Sequence, residues 1–213
     1  MIKAVIFDYD ETLTKTLEAK ARAYSDFARA EYGQNLTVGE VKKAFGIPYE
    51  KFIEKLFGKV EEVNIIIEKY QKFGEKYPPI PYENAEEVVN KLFERYLVGI
   101  VSGIRRRAIV KDLERLKFDQ KYFFHIQCGD DTLDLKPDPK VFDPLMMKLK
   151  LVGILPNKVV YVGDNIDDFL AAKAAGFNFI GMAGHTISME EFIKAGAIAI
   201  ENFDQLISKI EEF

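Results

Sequence analysis

The sequence predicts an α/β protein: a parallel sheet covered by helices on both faces, carrying an all-helical block inserted after the first strand. Three observations carry that prediction. Residues 2–8 read as a short buried strand whose apolar run stops abruptly at Asp8. From Leu17 to about Tyr77 only helical periodicity is present. From residue 84 to the end, helical patterns alternate with short apolar runs, the signature of a sheet whose strands are joined by helices.

Each element has a local reason. "LEAKARAYSDFARAEYG" has apolar residues at helical spacing and closes on Gly33; "TVGEVKKAFG" starts at a Thr37 cap; "PYEKFIEKLFG" begins with Pro48 and ends at Gly58; "VEEVNIIIEKYQKFGEKY" completes the block. In "YPPIPYEN", three prolines in four positions cannot continue a helix, so a boundary falls there. The expected units are therefore a core of 1–14 and 83–213 and a helical insertion of 15–82. Beyond the boundary the reading is helix 84–95, strand 97–102, helix 105–117, strand 123–128, helix 138–150 and strand 158–163. Helix 166–175, strand 177–182, helix 188–195, strand 197–200 and helix 203–211 follow.

The composition excludes several classes. A formal net charge of −4 gives no general affinity for nucleic acid or an anionic membrane, and no apolar stretch approaches the roughly 20 residues of a membrane span. The apolar start is interrupted at Asp8, too early for a signal peptide. One cysteine, Cys128, cannot form an internal disulfide and fits a cytoplasmic location. A monomer or a homodimer is expected.

In an open α/β sheet, ligands bind beyond the carboxyl ends of the strands. The residues following each strand are therefore the informative ones. "VIFDYDETLT" delivers Asp8, Asp10 and Thr12; "LVGIV" is followed by Ser102 and Gly103; "IQCGDDTLDLKPDP" brings Lys136; "VVYVG" precedes "DNIDD", with Asp164, Asp167 and Asp168. Two carboxylates one residue apart share a strand face and repel each other, so they need a cation, a shared proton or a catalytic use. Oxygen ligands suit Mg²⁺, for which Asp8 and Asp164 are the natural pair. A carboxylate such as Asp8 can attack phosphorus, and Asp10 can give a proton to a leaving oxygen and later take one from water. Ser102 and the Gly103 amide can donate to phosphoryl oxygens, whose charge the Lys136 ammonium offsets.

With "DYDET", "IVSG", "KPDP" and "VGDNIDD" in this order, the chain resembles the haloacid dehalogenase-like hydrolase superfamily over essentially its whole length. The resemblance implies a Rossmann-like, doubly wound core with a smaller all-helical cap domain, Mg²⁺ dependence and an aspartyl-phosphate intermediate. It makes Asp8 the nucleophile, Asp10 the acid/base, and Asp8, Asp164 and the Asp10 backbone carbonyl the metal ligands, with Asp168 and Thr12 in support. The helical insertion, "CGDDTLDLKPDP" and "GDNIDDFLAAKAAG" look most like the phosphoglycolate phosphatase-like branch, in which "FGIPYEKF" occupies the place of a substrate-facing cap loop. Two positions depart from the pattern: Glu11 stands where a glycine is usual, and Lys15 where an acid is usual.

The expected activity is hydrolysis of a small phosphorylated metabolite, phosphoglycolate-like or a sugar phosphate. The rivals are a phosphosugar mutase of the same superfamily and a non-catalytic module that binds a phosphorylated ligand. Lys20, where the related mutase carries a histidine, weighs against the first; retention of every chemical group weighs against the second. A dehalogenase would leave Asp10 superfluous. Taken singly, each group has an ordinary role as a strand-end carboxylate, a turn lysine or a helix cap. "RRR" at 105–107 is either a solvated helix face or a steering element for an anion. His125 and His185 read as structural, Phe45, Tyr49 and Phe52 as largely core, with Tyr49 and Lys51 as candidates to face substrate.

Overall fold

The computed structural model describes residues 1–45, 49–116, 118–184 and 186–213. The expected helix start at Pro48, part of the cap-loop segment, and His185 lie outside these.

Six strands form one parallel sheet: β1 (Ala4–Phe7), β4 (Leu97–Val101), β5 (Phe123–Gln127), β6 (Val159–Gly163), β7 (Asn178–Met182) and β8 (Ile198–Ile200). Their order is β5-β4-β1-β6-β7-β8. The chain thus winds outward from β1 through β4 to β5, then returns to lay β6 on the other flank of β1. This is the doubly wound, Rossmann-like arrangement expected. Its reversal of direction opens a crevice at the carboxyl ends of β4, β1 and β6.

Strand alternation divides the apolar residues between two cores. On β1, Val5 and Phe7 point to one face, where they pack with Val98, Ile100, Val160 and Val162 against helices α5 (Ala85–Phe93), α6 (Arg106–Arg115) and α10 (Leu206–Glu211). Ala4 and Ile6 point to the other, joining Tyr161 and Phe179 beneath α7 (Asp143–Leu151), α8 (Ile166–Ala174) and α9 (Met189–Ala195). Both faces are sealed, which is why the strands read as continuous apolar runs. Each fully buried large apolar side chain contributes about 1.5–3 kcal/mol.

The chain divides into two compact units, Met1–Thr14 with Pro81–Phe213, and Lys15–Ile80. The first resumes at Pro81, where the prolines had suggested 83. Short segments β2 (Thr14–Lys15) and β3 (Ile80–Pro81), too short for any periodicity to reveal, pair as a two-stranded ribbon. The second unit contains α1 (Thr16–Tyr32), α2 (Val38–Ala44), α3 (Tyr49–Phe57) and α4 (Val63–Gly74). Gly33, at φ 64°, ends α1 in the left-handed conformation that glycine adopts without a Cβ clash. Thr37 opens α2 with a capping box to Glu40. Along α1, Ala21, Tyr24, Phe27 and Ala28 share a buried face with Phe52, Ile53, Phe57 and Ile66. Phe27 makes edge-to-face contacts with Phe57, Tyr70 and Phe73 at centroid distances of 5.6, 5.6 and 5.4 Å.

Candidate active site

Strand β1 stops being apolar one residue before it stops pairing. The Asp8 amide donates to the Val162 carbonyl at 2.8 Å, continuing the ladder, so the Asp8 carboxylate is carried by the central strand. A tight turn follows, in which the Tyr9 carbonyl accepts from Leu13 and Thr14 and the Glu11 amide donates to Thr14. This turn places Asp10 half-buried two residues beyond Asp8. Glu11 sits at φ 54°, a left-handed conformation costing a side-chain-bearing residue roughly 1–2 kcal/mol. The usual glycine at this point therefore has a backbone reason, and Glu11 adopts the conformation while accepting from Tyr82 Oη at 3.5 Å.

Lys136 arrives from the loop after β5 and is the hub of the site. Its Nζ donates to Asp8 Oδ1 at 2.7 Å, Asp168 Oδ1 at 2.5 Å and Tyr161 Oη at 2.9 Å. Tyr161 in turn donates to the Val101 carbonyl at 2.8 Å. Asp168 is fully buried, and its Oδ2 accepts from the Asp164 and Asn165 amides at 3.1 and 3.3 Å. Asn165 caps α8 by accepting from the Asp168 amide at 2.9 Å. A Cβ on Gly163 would lie 2.5 Å from Asp168 Oδ2, so the bare backbone makes room for this carboxylate. Asp167, the neighbouring acid, is exposed, whereas Asp168, the residue expected in a supporting role, is buried.

One oxygen from each of Asp8, Asp164 and Asp168 lies within 4.8 Å of the other two, and all three residues are buried. Burial pushes Asp8 up to about 7; Asp168 and Asp10 add to the rise and Lys136 opposes it. Asp164 is pushed up to about 8, first by burial and then by Asp8. Burial also opposes the charge on Lys136, but Asp8, Tyr161 and Asp168 outweigh it and hold the ammonium well above its usual range. Three carboxylates against one ammonium leave the cluster short of positive charge. A hard divalent cation with oxygen ligands answers that deficit, so the residues present fit Mg²⁺. The side chain of Asp10 is not in the carboxylate group.

Ser102 and Gly103 follow β4, the strand beside β1, and Thr12 lies in the turn after β1. Ser102, directly after β4, is buried, and its Oγ accepts from the Ile104 amide at 3.4 Å. Gly103 is exposed, with open space where a Cβ would be. Thr12 is fully buried, and its Oγ1 finds no hydrogen-bond partner among the described residues. Of the arginine run, Arg106 pairs with Asp131 and donates to the Ile126 carbonyl at 3.1 Å, tying α6 to the loop after β5. All three arginines of the run are exposed. Cys128 is a buried free thiol that burial pushes up to about 11. In the helical unit Phe52 is buried, and Tyr49 is half-exposed with its hydroxyl 3.0 Å from that of Tyr24.

Two residues of the site escaped the sequence reading, Tyr161 and Asn165. The first is the one hydroxyl-bearing residue in "VVYVG", and a buried phenol needs a partner; the second holds the N-cap position of α8.

A family model of haloacid dehalogenase-like hydrolases matches residues 5–182. The Thermotoga maritima phosphorylated carbohydrates phosphatase is 27% identical over 222 residues, covering 99% of each chain. The pyrophosphatase PpaX of Bacillus cereus (strain B4264) is 29% identical over 82% of this chain and 80% of its own. The phosphoglycolate phosphatase of Shigella boydii is 26% identical over 85% of this chain and 81% of its own. Among solved structures, a Thermotoga maritima protein provisionally named a β-phosphoglucomutase superposes with a TM-score of 0.81 at 24% identity, covering 99% of both chains. A Pseudomonas syringae hydrolase gives 0.71 at 23% identity, again over 99% of both. With four ordered motifs converging on one crevice, and the family model spanning most of its length, this chain belongs to the haloacid dehalogenase-like hydrolases.

Proposed function

We propose that the chain is a Mg²⁺-dependent phosphatase that hydrolyses a small phosphomonoester through an aspartyl-phosphate on Asp8. The observation that carries this reading is the Asp8–Lys136–Asp168 arrangement beside Asp164: a buried carboxylate on the central strand, held by an ammonium, in a cluster that calls for a cation. Curated relatives named as phosphatases of phosphorylated carbohydrates, pyrophosphate and phosphoglycolate support the same class of substrate.

Asp8, Asp164 and the Asp10 carbonyl would hold Mg²⁺, with Asp168 beside them. The ion supplies charge neutralisation for the phosphoryl group and for the carboxylates around it. Ser102 Oγ and the Gly103 amide donate to phosphoryl oxygens, and the Lys136 ammonium offsets their charge. A carboxylate oxygen of Asp8 forms the bond to phosphorus as the bond to the leaving oxygen breaks. Asp10, half-buried and so able to exchange protons with solvent, protonates that oxygen. In the second step Asp10 takes a proton from water as the water attacks the aspartyl-phosphate, which releases inorganic phosphate and restores Asp8. The reading places the protein in the cytoplasm, as a monomer or homodimer acting on a small phosphorylated metabolite, with 15–82 as its cap.

A panel of phosphorylated metabolites assayed for phosphate release, ranked by kcat/KM, tests the reaction. Release that requires Mg²⁺, stops with chelator and returns with added ion supports it. Turnover unaffected by chelator overturns the metal dependence, phosphosugar interconversion without phosphate release identifies a mutase, and binding without turnover identifies a non-catalytic module. Asp10→Asn with an activated aryl phosphate should build up phosphate on Asp8, seen as a burst near one equivalent.

A further inference from the structure

Gln127, the last residue of β5, is a buried amide, 2% exposed, two residues from a second buried polar side chain of the same strand, His125. Its side-chain Nε2 donates to the Val141 carbonyl at 2.7 Å. Val141 lies in the short 3-10 turn Pro139–Phe142 that follows Lys136, and its own amide donates to Asp138, the residue capping that turn. The backbone carbonyl of Gln127 accepts from the Ser102 amide at 3.1 Å. One residue therefore holds the backbone of Ser102 on one side and the turn behind Lys136 on the other.

The neighbouring backbone is packed with no slack. A Cβ on Gly129 would fall 2.2 Å from the Gly103 carbonyl oxygen, and the Gly129 amide donates to Ile104 at 2.8 Å. A displacement at 127–129 is therefore passed to 102–104 by direct contact.

The orientation of the amide is itself fixed. The Val141 carbonyl can only accept, so Gln127 must turn its Nε2 toward it and its Oε1 toward His125. His125 Nε2 lies 3.2 Å from that oxygen and must carry the proton. The other ring nitrogen, Nδ1, is buried with no hydrogen-bond partner among the described residues. A proton there would have no acceptor, which keeps His125 a neutral donor.

We infer that Gln127, locked by His125, is a positioning residue that sets the spacing between Ser102 and Lys136, the two side chains proposed to act on the phosphoryl oxygens. The inference rests on the proposed function for the meaning of that spacing. Gln127 is hydrogen-bonded to neither Asp8 nor Asp164 and reaches Asp8 only through Lys136, so its loss should fall on phosphate more than on Mg²⁺.

The test compares Gln127→Met, which keeps length and removes both hydrogen bonds, with the parent protein. Affinities for Mg²⁺ alone, and for inorganic phosphate in saturating Mg²⁺, are measured by calorimetry. Phosphate affinity should fall about tenfold, the equivalent of one buried hydrogen bond, while Mg²⁺ affinity stays within about twofold. kcat/KM should fall with phosphate affinity. His125→Leu keeps the bond to Val141 but frees the amide to rotate, and should give a smaller loss of about two- to threefold; it serves also if Gln127→Met does not fold. Lys136→Met is the control on the underlying reading. If Lys136→Met retains parental phosphate affinity, the assignment of the phosphate site fails. If Lys136→Met loses phosphate but Gln127→Met and His125→Leu lower only the melting temperature, the positioning role is overturned. Equal losses of Mg²⁺ and phosphate in Gln127→Met overturn it too.

Discussion

The two compact units bury opposite kinds of groups. In the unit of Met1–Thr14 and Pro81–Phe213, three carboxylates and an ammonium are withdrawn from water at the ends of apolar strands. In Lys15–Ile80 the interior is aromatic, and the described ion pairs, such as Glu18 with Arg22 and Lys42, stay at or near the surface. Withdrawing an ion from water costs several kcal/mol, and mutual attraction repays it only when every charge is matched. The cluster around Asp8 is not matched by its own lysine. The first unit thus holds a stability deficit that a cation would relieve, whereas the second follows the ordinary rule of apolar inside and charged outside.

The strongest way to break this contrast is Asp8→Asn. Activity should fall on the order of 10⁴-fold or more, because an amide is a poor nucleophile. The cation-free protein should nevertheless melt at a higher temperature, since the change removes a buried carboxylate that is pushed up to about 7. Near-normal turnover would sink the covalent mechanism, and a lower melting temperature would sink the claimed deficit. Metal content must be measured alongside, because loss of Mg²⁺ would mimic loss of the nucleophile.

Phe27→Ala probes the other unit. Removing a ring that packs against Tyr32, Phe57, Tyr70 and Phe73 should cost about 3–5 kcal/mol in denaturant titrations. Mg²⁺ affinity, measured at low temperature on folded protein, should not change, since no carboxylate of the cluster belongs to Lys15–Ile80. A parallel loss of Mg²⁺ binding would contradict the division.

The pH dependence of Mg²⁺ stabilisation tests the deficit directly. Asp8 and Asp164 are raised to about 7 and about 8, above the roughly 3.9 of an unfolded aspartate. Between those limits the folded, cation-free protein binds protons that the unfolded chain does not, so its stability rises as pH falls from about 8 toward 4. Protons and Mg²⁺ compete for the same carboxylates. The rise in melting temperature on adding Mg²⁺ should therefore be larger at pH 8 than at pH 5.5; an equal or reversed shift would show that these carboxylates are not the ion's ligands.

Smaller effects are expected at two further positions. Glu11→Gly should be more stable than Glu11→Ala by about 1 kcal/mol, because alanine keeps the left-handed strain at φ 54° and glycine does not. Glu18→Gln loses surface pairs only and should cost less than about 1 kcal/mol, an effect that salt should erase.

What could be read without coordinates was local. Helix ends at Gly33, Thr37 and Gly58 follow from glycine and capping chemistry, and the buried strands follow from unbroken apolar runs, because these signals act over a few residues. The motif residues Asp8, Asp10, Ser102, Lys136, Asp164 and Asp168 were legible because each follows a strand, and a parallel sheet brings all such ends to one edge. Their order in the sheet was not. Lys136 meets Asp8 across 128 residues of chain because β1 lies in the middle of the sheet, between β4 and β6. The same packing decided that Arg106 pairs with Asp131 and that Tyr161 and Gln127 steady the lysine and the serine. A side chain's type declares what bonds it needs, but which partner satisfies it depends on strand order, register and the space left by residues such as Gly163, quantities set by the packing of the whole sheet.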